Sequence, residues 1–147
     1  DLKDKLVALP HPLIQDQVEG LGDDPVWKYY TPGMKYDTVL SRTRLFVTDY
    51  SSIAYDAFYR GASVVFFWKD KDECMKEYGK SAHLMLTEDL AFGDICMTEE
   101  ELRASVRESY DNPPKQEYED NYRKIVAFHD GKNTDRFIAM AKKDGIL

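Results

Sequence analysis

The chain has no long apolar run and fewer basic than acidic residues. None of its apolar stretches approaches the roughly 18 to 20 residues that a membrane-spanning helix needs, so we expect no membrane span in this chain. Lysine and arginine number 20 against 27 acidic residues, which gives a formal net charge of -7. This charge argues against nucleic-acid binding, where a basic face is expected, but it is compatible with a local basic pocket for a phosphate.

Cysteine is scarce, with Cys74 and Cys96 alone among 147 residues. Neither residue stands in a metal-binding or redox motif, so the sequence predicts free thiols in a reducing cytosol, and a disulfide stays compatible with it. No ligand cluster suggests a structural metal. Residues 1–5 do not resemble a signal peptide and include no initiating Met, so we expect the chain to be part of a longer protein.

What is present is typical of a globular α/β protein. Hydrophobic residues make up 43% and charged residues 32% of the chain, and its length suits one domain with a sizeable core. Apolar runs predict strands, and helical periodicity predicts helices between and after them. This alternation indicates a Rossmann-like parallel sheet with flanking helices, in a single domain over residues 1–147. Strands are predicted at 6–9, 26–30, 45–47, 64–68 and 84–87, and helices at 15–21, 36–40, 53–58, 99–110, 118–128 and from Thr134 onward.

The most informative segment joins the strand at 45–47 to the helix at 53–58. It carries Asp49, Ser51 and Ser52, and in α/β proteins such a connection lies in the crevice at the carboxyl end of a strand, where ligands bind. Ser51 or Ser52 can cap the helix, whose first N–H groups favour an anion. An equally simple interpretation has the serines as caps and Asp49 as the end of the strand, with no ligand.

Histidines give one further candidate. His11 lies between Pro10 and Pro12, which stiffen the backbone, and it follows the predicted strand at 6–9. An imidazole at the carboxyl end of a strand can donate to a phosphate or act as a general base. The alternative is an ordinary surface-loop histidine. His129 ends a predicted helix, where the helix dipole favours it for structural reasons.

A second candidate anion site is the turn at 130–136. Gly131 permits close approach of a ligand to the backbone, and Lys132 or Arg136 could add positive charge to the amides of the last helix. The alternative is an ordinary helix start with Thr134 as its cap. The charged run at 69–73 is interpreted as a solvated face.

Several of these segments, taken together, resemble one known family. Thr48-Asp49-Tyr50-Ser51-Ser52 resembles the TDYSS signature of the CDP-glycerol glycerophosphotransferases, the teichoic acid polymerases and primases of Gram-positive bacteria. Tyr36-Asp37 resembles the start of the family's preceding helix, and the run at 64–68 resembles its next strand. Residues 130–136 resemble its C-terminal Asp-Gly-Lys-Ala-Ser-Glu-Arg motif, and His11 falls where the family has a functional histidine. The similarity extends from about Leu6 to the end of the chain.

The resemblance implies the C-terminal, donor-binding half of a GT-B glycosyltransferase-like fold, which has two Rossmann-like domains. The family transfers glycerol phosphate from CDP-glycerol to the hydroxyl end of a growing polymer and releases CMP, and relatives use CDP-ribitol. The partners implied are therefore a CDP-glycerol-type donor and a polyol-phosphate polymer acceptor, the latter held by an N-terminal domain that this chain lacks. Family members work at the cytoplasmic face of the membrane, so the full-length protein is expected in the cytoplasm or peripherally at the inner face.

The resemblance also assigns roles to seven residues: His11 as the catalytic residue, Ser51, Ser52, Lys132 and Thr134 as donor phosphate ligands, and Asp49 and Arg136 as supporting residues. No cofactor is expected, because the CDP-linked donor is a substrate. A divalent metal ion could arrive with its pyrophosphate, and the sequence does not decide whether one is required.

This sequence departs from the family pattern in two places. Leu9-Pro10 precedes His11 where the family commonly has a basic residue, and Asn133 replaces a small residue in the last motif. Two alternatives therefore stay open. One is a GT-B sugar transferase that uses another nucleotide sugar, and the other is a non-catalytic Rossmann-type domain that binds a nucleotide or a partner.

Overall fold

In a computed structural model, the described part of the chain consists of residues 2–11, 25–77, 79 and 85–147, with the side chain of Trp27 left out. The chain divides into two compact units, residues 1–42 and 43–147. The single domain over residues 1–147 stays a prediction.

The secondary structure described in the first unit is helical, and residues 6–11 and 30–35 lie outside its helices. Its elements are two short 3-10 helices and one α-helix, namely Lys3–Lys5, Pro25–Tyr29 and α1 (Tyr36–Leu40). The Ala8 N–H donates to the Tyr29 carbonyl at 3.0 Å. The Tyr36 hydroxyl donates to the Pro10 carbonyl, and this hydrogen bond holds the segment that ends at Pro10 against α1.

Two predicted strands in this unit are wrong. Residues 26–30 lie mostly in the 3-10 helix, because Pro25 has a fixed φ that suits the first helical position. Among the described residues of this unit, none forms a strand with which residues 6–9 could pair, and Leu6 and Val7 are about half exposed, at 51% and 49%. The helix predicted at 15–21 lies outside the described residues, whereas α1 confirms the helix predicted at 36–40.

The second unit is built on a parallel sheet whose described strands are β1 (Leu45–Thr48), β2 (Ser63–Phe67) and β3 (Asp94–Cys96). Their spatial order is β1-β2-β3, with β2 in the middle. In the register, Thr48 lies beside Phe66 and Phe67 beside Cys96, so the carboxyl ends of the strands share one edge. This confirms the α/β class and the parallel sheet.

Helices follow and flank these strands. They are α2 (Ile53–Tyr59), α3 (Lys71–Glu77), a 3-10 helix (Glu88–Leu90), α4 (Glu99–Asp111), α5 (Gln116–Ile125) and α6 (Asn133–Lys143). α2 contacts β1 and β2, and α4 contacts all three strands. α4 begins after Thr98, which forms a complete capping box with Glu101. No helix in the described part of the chain is long and apolar enough to cross a membrane.

The core forms around β2, the strand that the sequence identifies most clearly. Val65 and Phe66 are almost fully buried, as expected for the central strand of a parallel sheet. Phe92 packs its ring against Phe58, Phe66 and Tyr122, with centroids 5.1 to 5.4 Å apart. The Tyr122 hydroxyl donates to the Tyr55 carbonyl at 2.8 Å, so α5 is joined to α2 through this aromatic cluster.

Three further predictions need correction. Residues 85–87 form a bend and the N-cap of a 3-10 helix instead of a strand, and Leu84 lies outside the described residues. The strand that pairs with β2 in this part of the chain is β3, which has three residues and begins at the charged residue Asp94. α5 covers 116–125 instead of 118–128, so His129 lies in the following loop and not at a helix end.

Candidate functional site

The elbow, defined as residues 49–52, connects β1 to α2 at the carboxyl edge of the sheet. This edge is where open parallel sheets bind ligands. Trp68 directly follows β2 at the same edge, is 1% exposed, and donates its indole N–H to the Asp49 carbonyl oxygen at 2.9 Å. The backbone at the start of the elbow is therefore fixed by the neighbouring strand.

Asp49 also organises the elbow through its side chain. Its carboxylate oxygen Oδ1 accepts from the Tyr50 N–H at 2.7 Å and lies 3.5 Å from the Thr48 hydroxyl. These contacts are what a supporting residue for the elbow would make.

Tyr50 is the residue of the elbow that sequence reasoning left without a role. Its hydroxyl donates to Asp70 Oδ1 at 2.7 Å, and its ring stacks on Trp68 with centroids 6.4 Å apart. Burial and the hydrogen bond to Asp70 raise the pKa of Tyr50, so the phenol stays protonated and donates. Asp70 lies in the run interpreted as a solvated face; it is exposed as that interpretation predicts, and it also makes this specific contact.

The serines do not cap α2 with their side chains. Ser52 occupies the N-cap position with helical φ and ψ of -64° and -15°, and its hydroxyl makes no capping hydrogen bond. The Ser51 and Ser52 carbonyls accept the Ala54 and Tyr55 N–H groups instead. The cap interpretation is wrong because the chain already turns helically at Ser52, which leaves an exposed hydroxyl at the carboxyl edge of β1.

The elbow lies among carboxylates, with one cation close to Trp68. Lys71 Nζ lies 4.8 Å from the Trp68 ring centroid and 2.8 Å from a carboxylate oxygen of Glu88. Burial raises the pKa of the nearby Cys74 thiol, and the negative charges of Asp70 and Asp49 raise it further. An anion at the elbow therefore needs hydroxyl and amide donors, Lys71, or a cation of its own. Within the described ranges, no group of three or more His, Cys, Asp or Glu side chains could hold a metal ion.

The turn at 130–136 is stabilised by an internal ion pair. The two terminal nitrogens of Arg136 lie 2.7 and 2.6 Å from the two carboxylate oxygens of Asp130, a bidentate pair. Asp130 also accepts the Lys132 N–H at 3.1 Å across Gly131, which has a left-handed φ of 70°. Hydrogen bonding to Arg136 lowers the pKa of Asp130 to about 2.

The predicted ligands of the turn differ in whether their side chains are already engaged within it. Arg136 also bonds the side chain of Asn133 at 3.2 Å, so its charge is engaged within the turn. Lys132 and Thr134 are exposed. Thr134 as the helix cap is wrong: α6 begins at Asn133 with Lys132 in the N-cap position, because the Asp130 turn already sets the helix start.

The elbow residues lie together at the start of α2. The turn residues lie together at a second place, near the end of α2. The His129 ring packs on the Tyr59 ring with centroids 4.1 Å apart, so the turn begins beside the last residue of α2. The serines precede the first residue of α2, and this helix rises only about 9 Å over its length. His11 is exposed and belongs to the first unit, where it follows an irregular segment instead of a strand.

A charged network that the sequence did not indicate lies at the opposite edge of the sheet. Asp94, the first residue of β3, accepts from Lys115 at 2.8 Å, Ser105 at 2.6 Å and the Tyr118 hydroxyl. Burial alone would raise the pKa of Asp94, but these three hydrogen bonds outweigh it and lower the pKa. Because every partner comes from α4 or the start of α5, this network joins helices to the sheet.

The fold and the elbow define a parallel α/β protein with polar residues at the carboxyl edge of its sheet, the edge at which such folds generally bind ligands. The chain belongs to the CDP-Glycerol:Poly(glycerophosphate) glycerophosphotransferase family, whose sequence model matches residues 2–141. It is similar to the Minor teichoic acid biosynthesis protein GgaB of Bacillus subtilis (strain 168), with 26% identity over 140 residues. That alignment covers 90% of this chain and 14% of GgaB, so the chain spans a small part of its relative's length. No solved structure matches the chain.

Proposed function

We propose that this chain is the donor-binding part of a polyol-phosphate transferase that uses CDP-glycerol or CDP-ribitol in the synthesis of teichoic acid or a related cell-surface polymer. The observation that carries the proposal is the family match over residues 2–141, which includes the elbow at the carboxyl edge of the sheet. The proposed architecture is the C-terminal half of a GT-B fold, in which a second domain holds the acceptor.

The proposed reaction is a transfer of glycerol phosphate. An acceptor hydroxyl oxygen attacks the phosphorus atom that carries the glycerol, the bond from that phosphorus to the bridging diphosphate oxygen breaks, and CMP leaves. The acceptor proton passes to a base, for which His11 is the proposed residue. Such reactions depend on positioned hydrogen-bond donors and charge neutralisation more than on covalent catalysis.

Within the second unit, the elbow is proposed to contact the diphosphate. The hydroxyls of Ser51 and Ser52 are the proposed donors, because Ser52 is exposed and neither side chain forms a helix cap. α2 has only seven residues, so its dipole adds little and the hydroxyls matter more. Lys132 and Thr134 are the proposed second contact, reached by another part of the same extended donor along α2.

Titration calorimetry of the 147-residue chain tests the proposal. CDP-glycerol, CDP and CMP should bind, while UDP- and GDP-sugars should bind at least tenfold more weakly. No binding of any cytidine ligand at millimolar concentration would refute the proposal, and preference for a UDP- or GDP-sugar would indicate a sugar transferase instead.

Serine variants locate the ligand. Ser52→Ala should weaken CDP-glycerol binding by about 1–3 kcal/mol, the cost of one lost hydrogen bond to a charged group. Ser109→Ala is the matched control, because Ser109 lines a groove with Ser63 at the amino end of β2. Equal affinities of the Ser52 variant and the wild type would remove Ser52 from the site.

A further inference from the structure

Asp70 is the unexpected partner of the elbow. It follows β2, has no predicted role in any site, and accepts a hydrogen bond from the Tyr50 hydroxyl at 2.7 Å. A protonated phenol that donates to a carboxylate forms a charge-assisted hydrogen bond, which is stronger than a neutral one. The residue that receives this bond is exposed and has no part in the core.

Tyr50 is held at three points. Its N–H donates to Asp49, its ring stacks on Trp68, and its hydroxyl reaches Asp70. Ser51 and Ser52 follow it directly in the chain, so the path of the backbone into the serines depends on how Tyr50 is fixed. Asp49 and Trp68 fix the start of the elbow, and Asp70 fixes its only aromatic side chain.

We propose that Asp70 is a positioning residue that holds the elbow, through Tyr50, in the conformation that presents the Ser51 and Ser52 hydroxyls to the donor. This inference rests on the proposed function for the identity of the ligand. The geometry of the contact itself is independent of that function.

The sign of the expected effect separates this inference from simple electrostatics. Asp70 is a negative charge close to the place where a diphosphate would bind. If its charge alone mattered, removing it would tighten the binding of an anion. If Asp70 positions the elbow, removing it weakens binding, because the serine hydroxyls lose their fixed orientation.

Three single variants, one double variant and one control test this role in the 147-residue chain. Tyr50→Phe keeps the ring and removes the hydroxyl, Asp70→Ala removes the acceptor, and Asp70→Asn keeps an acceptor oxygen without the charge. Asp72→Ala is the control, since it removes a neighbouring exposed carboxylate from the start of α3. Tyr50→Phe and Asp70→Ala should each raise the Kd for CDP-glycerol about five- to tenfold, and the double variant should be no worse than either. Asp70→Asn should restore most of the affinity, and Asp72→Ala should not weaken binding.

Amide hydrogen exchange in the absence of ligand reports on the elbow directly. Tyr50→Phe and Asp70→Ala should speed exchange about tenfold at residues 50–54 and leave β2 unchanged. Unchanged exchange at the elbow would overturn the inference, as would faster exchange spread evenly over the sheet, since that would mean general destabilisation. Faster exchange with unaltered donor affinity would also overturn it. If the wild-type chain binds no cytidine ligand, the proposed function fails, and the exchange measurement still decides whether Asp70 holds the elbow.

Discussion

At the scale of residues, each end of α2 has a carboxylate in a specific contact. At the elbow, Asp70 accepts from a neutral tyrosine, and at the turn, Asp130 accepts from Arg136. Neither Asp70 nor Asp130 is buried in the core, so geometry and not burial determines what these groups do. The serines and Lys132 thereby follow segments whose conformation is already fixed.

The pair of Asp130 and Arg136 predicts a pH dependence. The pKa of Asp130 is lowered from 3.8 to about 2, so its contribution to stability is complete above about pH 4 and is lost as the pH falls toward 2. Arg136→Ala should return the pKa of Asp130 close to its ordinary value, measured by NMR titration of the carboxyl carbon. Asp135→Asn, a neighbouring change in the first turn of α6, is the control. A wild-type value near 4 would contradict the bidentate pair.

Sequence reasoning reached some of these residues and missed others for a definite reason. Asp49, Ser51 and Ser52 follow a clear strand, so their place at the carboxyl edge could be predicted from local pattern. Asp70 could not, because its partner is 20 residues away in the chain and a charged run looks like any solvated surface. The cap role of Ser52 failed because the chain already turns helically at that residue, and the cap role of Thr134 failed because α6 begins one residue earlier, at Asn133.

At the scale of elements, strong local patterns were predictive. β1, β2, α2 and α4 lie where apolar runs and helical periodicity indicated them. The segments at 6–9 and 26–30 have apolar runs of strand length, but strand formation needs a partner and a proline redirected one of them into a 3-10 helix. β3 is too short to show alternation, and it forms through pairing with β2.

The pairing of β3 with β2 makes a prediction about Gly93. A Cβ at this position would lie 2.1 Å from the Val64 carbonyl oxygen, so Gly93→Ala cannot be accommodated without moving backbone. We expect a loss of at least about 3 kcal/mol in the free energy of unfolding, measured by urea denaturation. Gly145→Ala is the control, because Gly145 has a φ of 69° but open space around it. Its cost should be limited to about 1–2 kcal/mol, and equal costs for the two variants would contradict the close packing.

At the scale of the whole molecule, the chain covers 14% of the length of GgaB, so we predict ligand binding without efficient turnover. Many enzymes complete their site by closure over the substrate, and the acceptor half is proposed to lie outside this chain. The 147 residues should therefore release CMP from CDP-glycerol with a polymer acceptor no faster than a Ser52→Ala control. Acceptor-dependent release well above that control would show that this chain is a complete catalyst.

Donor binding at the elbow is measured most directly by titrating the isotope-labelled chain with CDP-glycerol and following the chemical shifts of its backbone amides. We expect saturable shifts that are largest at the elbow, residues 49–52, and also present at residues 131–134. We expect little change around Asp94 and Lys115 at the opposite edge of the sheet. Absence of shifts at millimolar ligand, or shifts confined to that opposite edge, would mean that the elbow does not bind the donor.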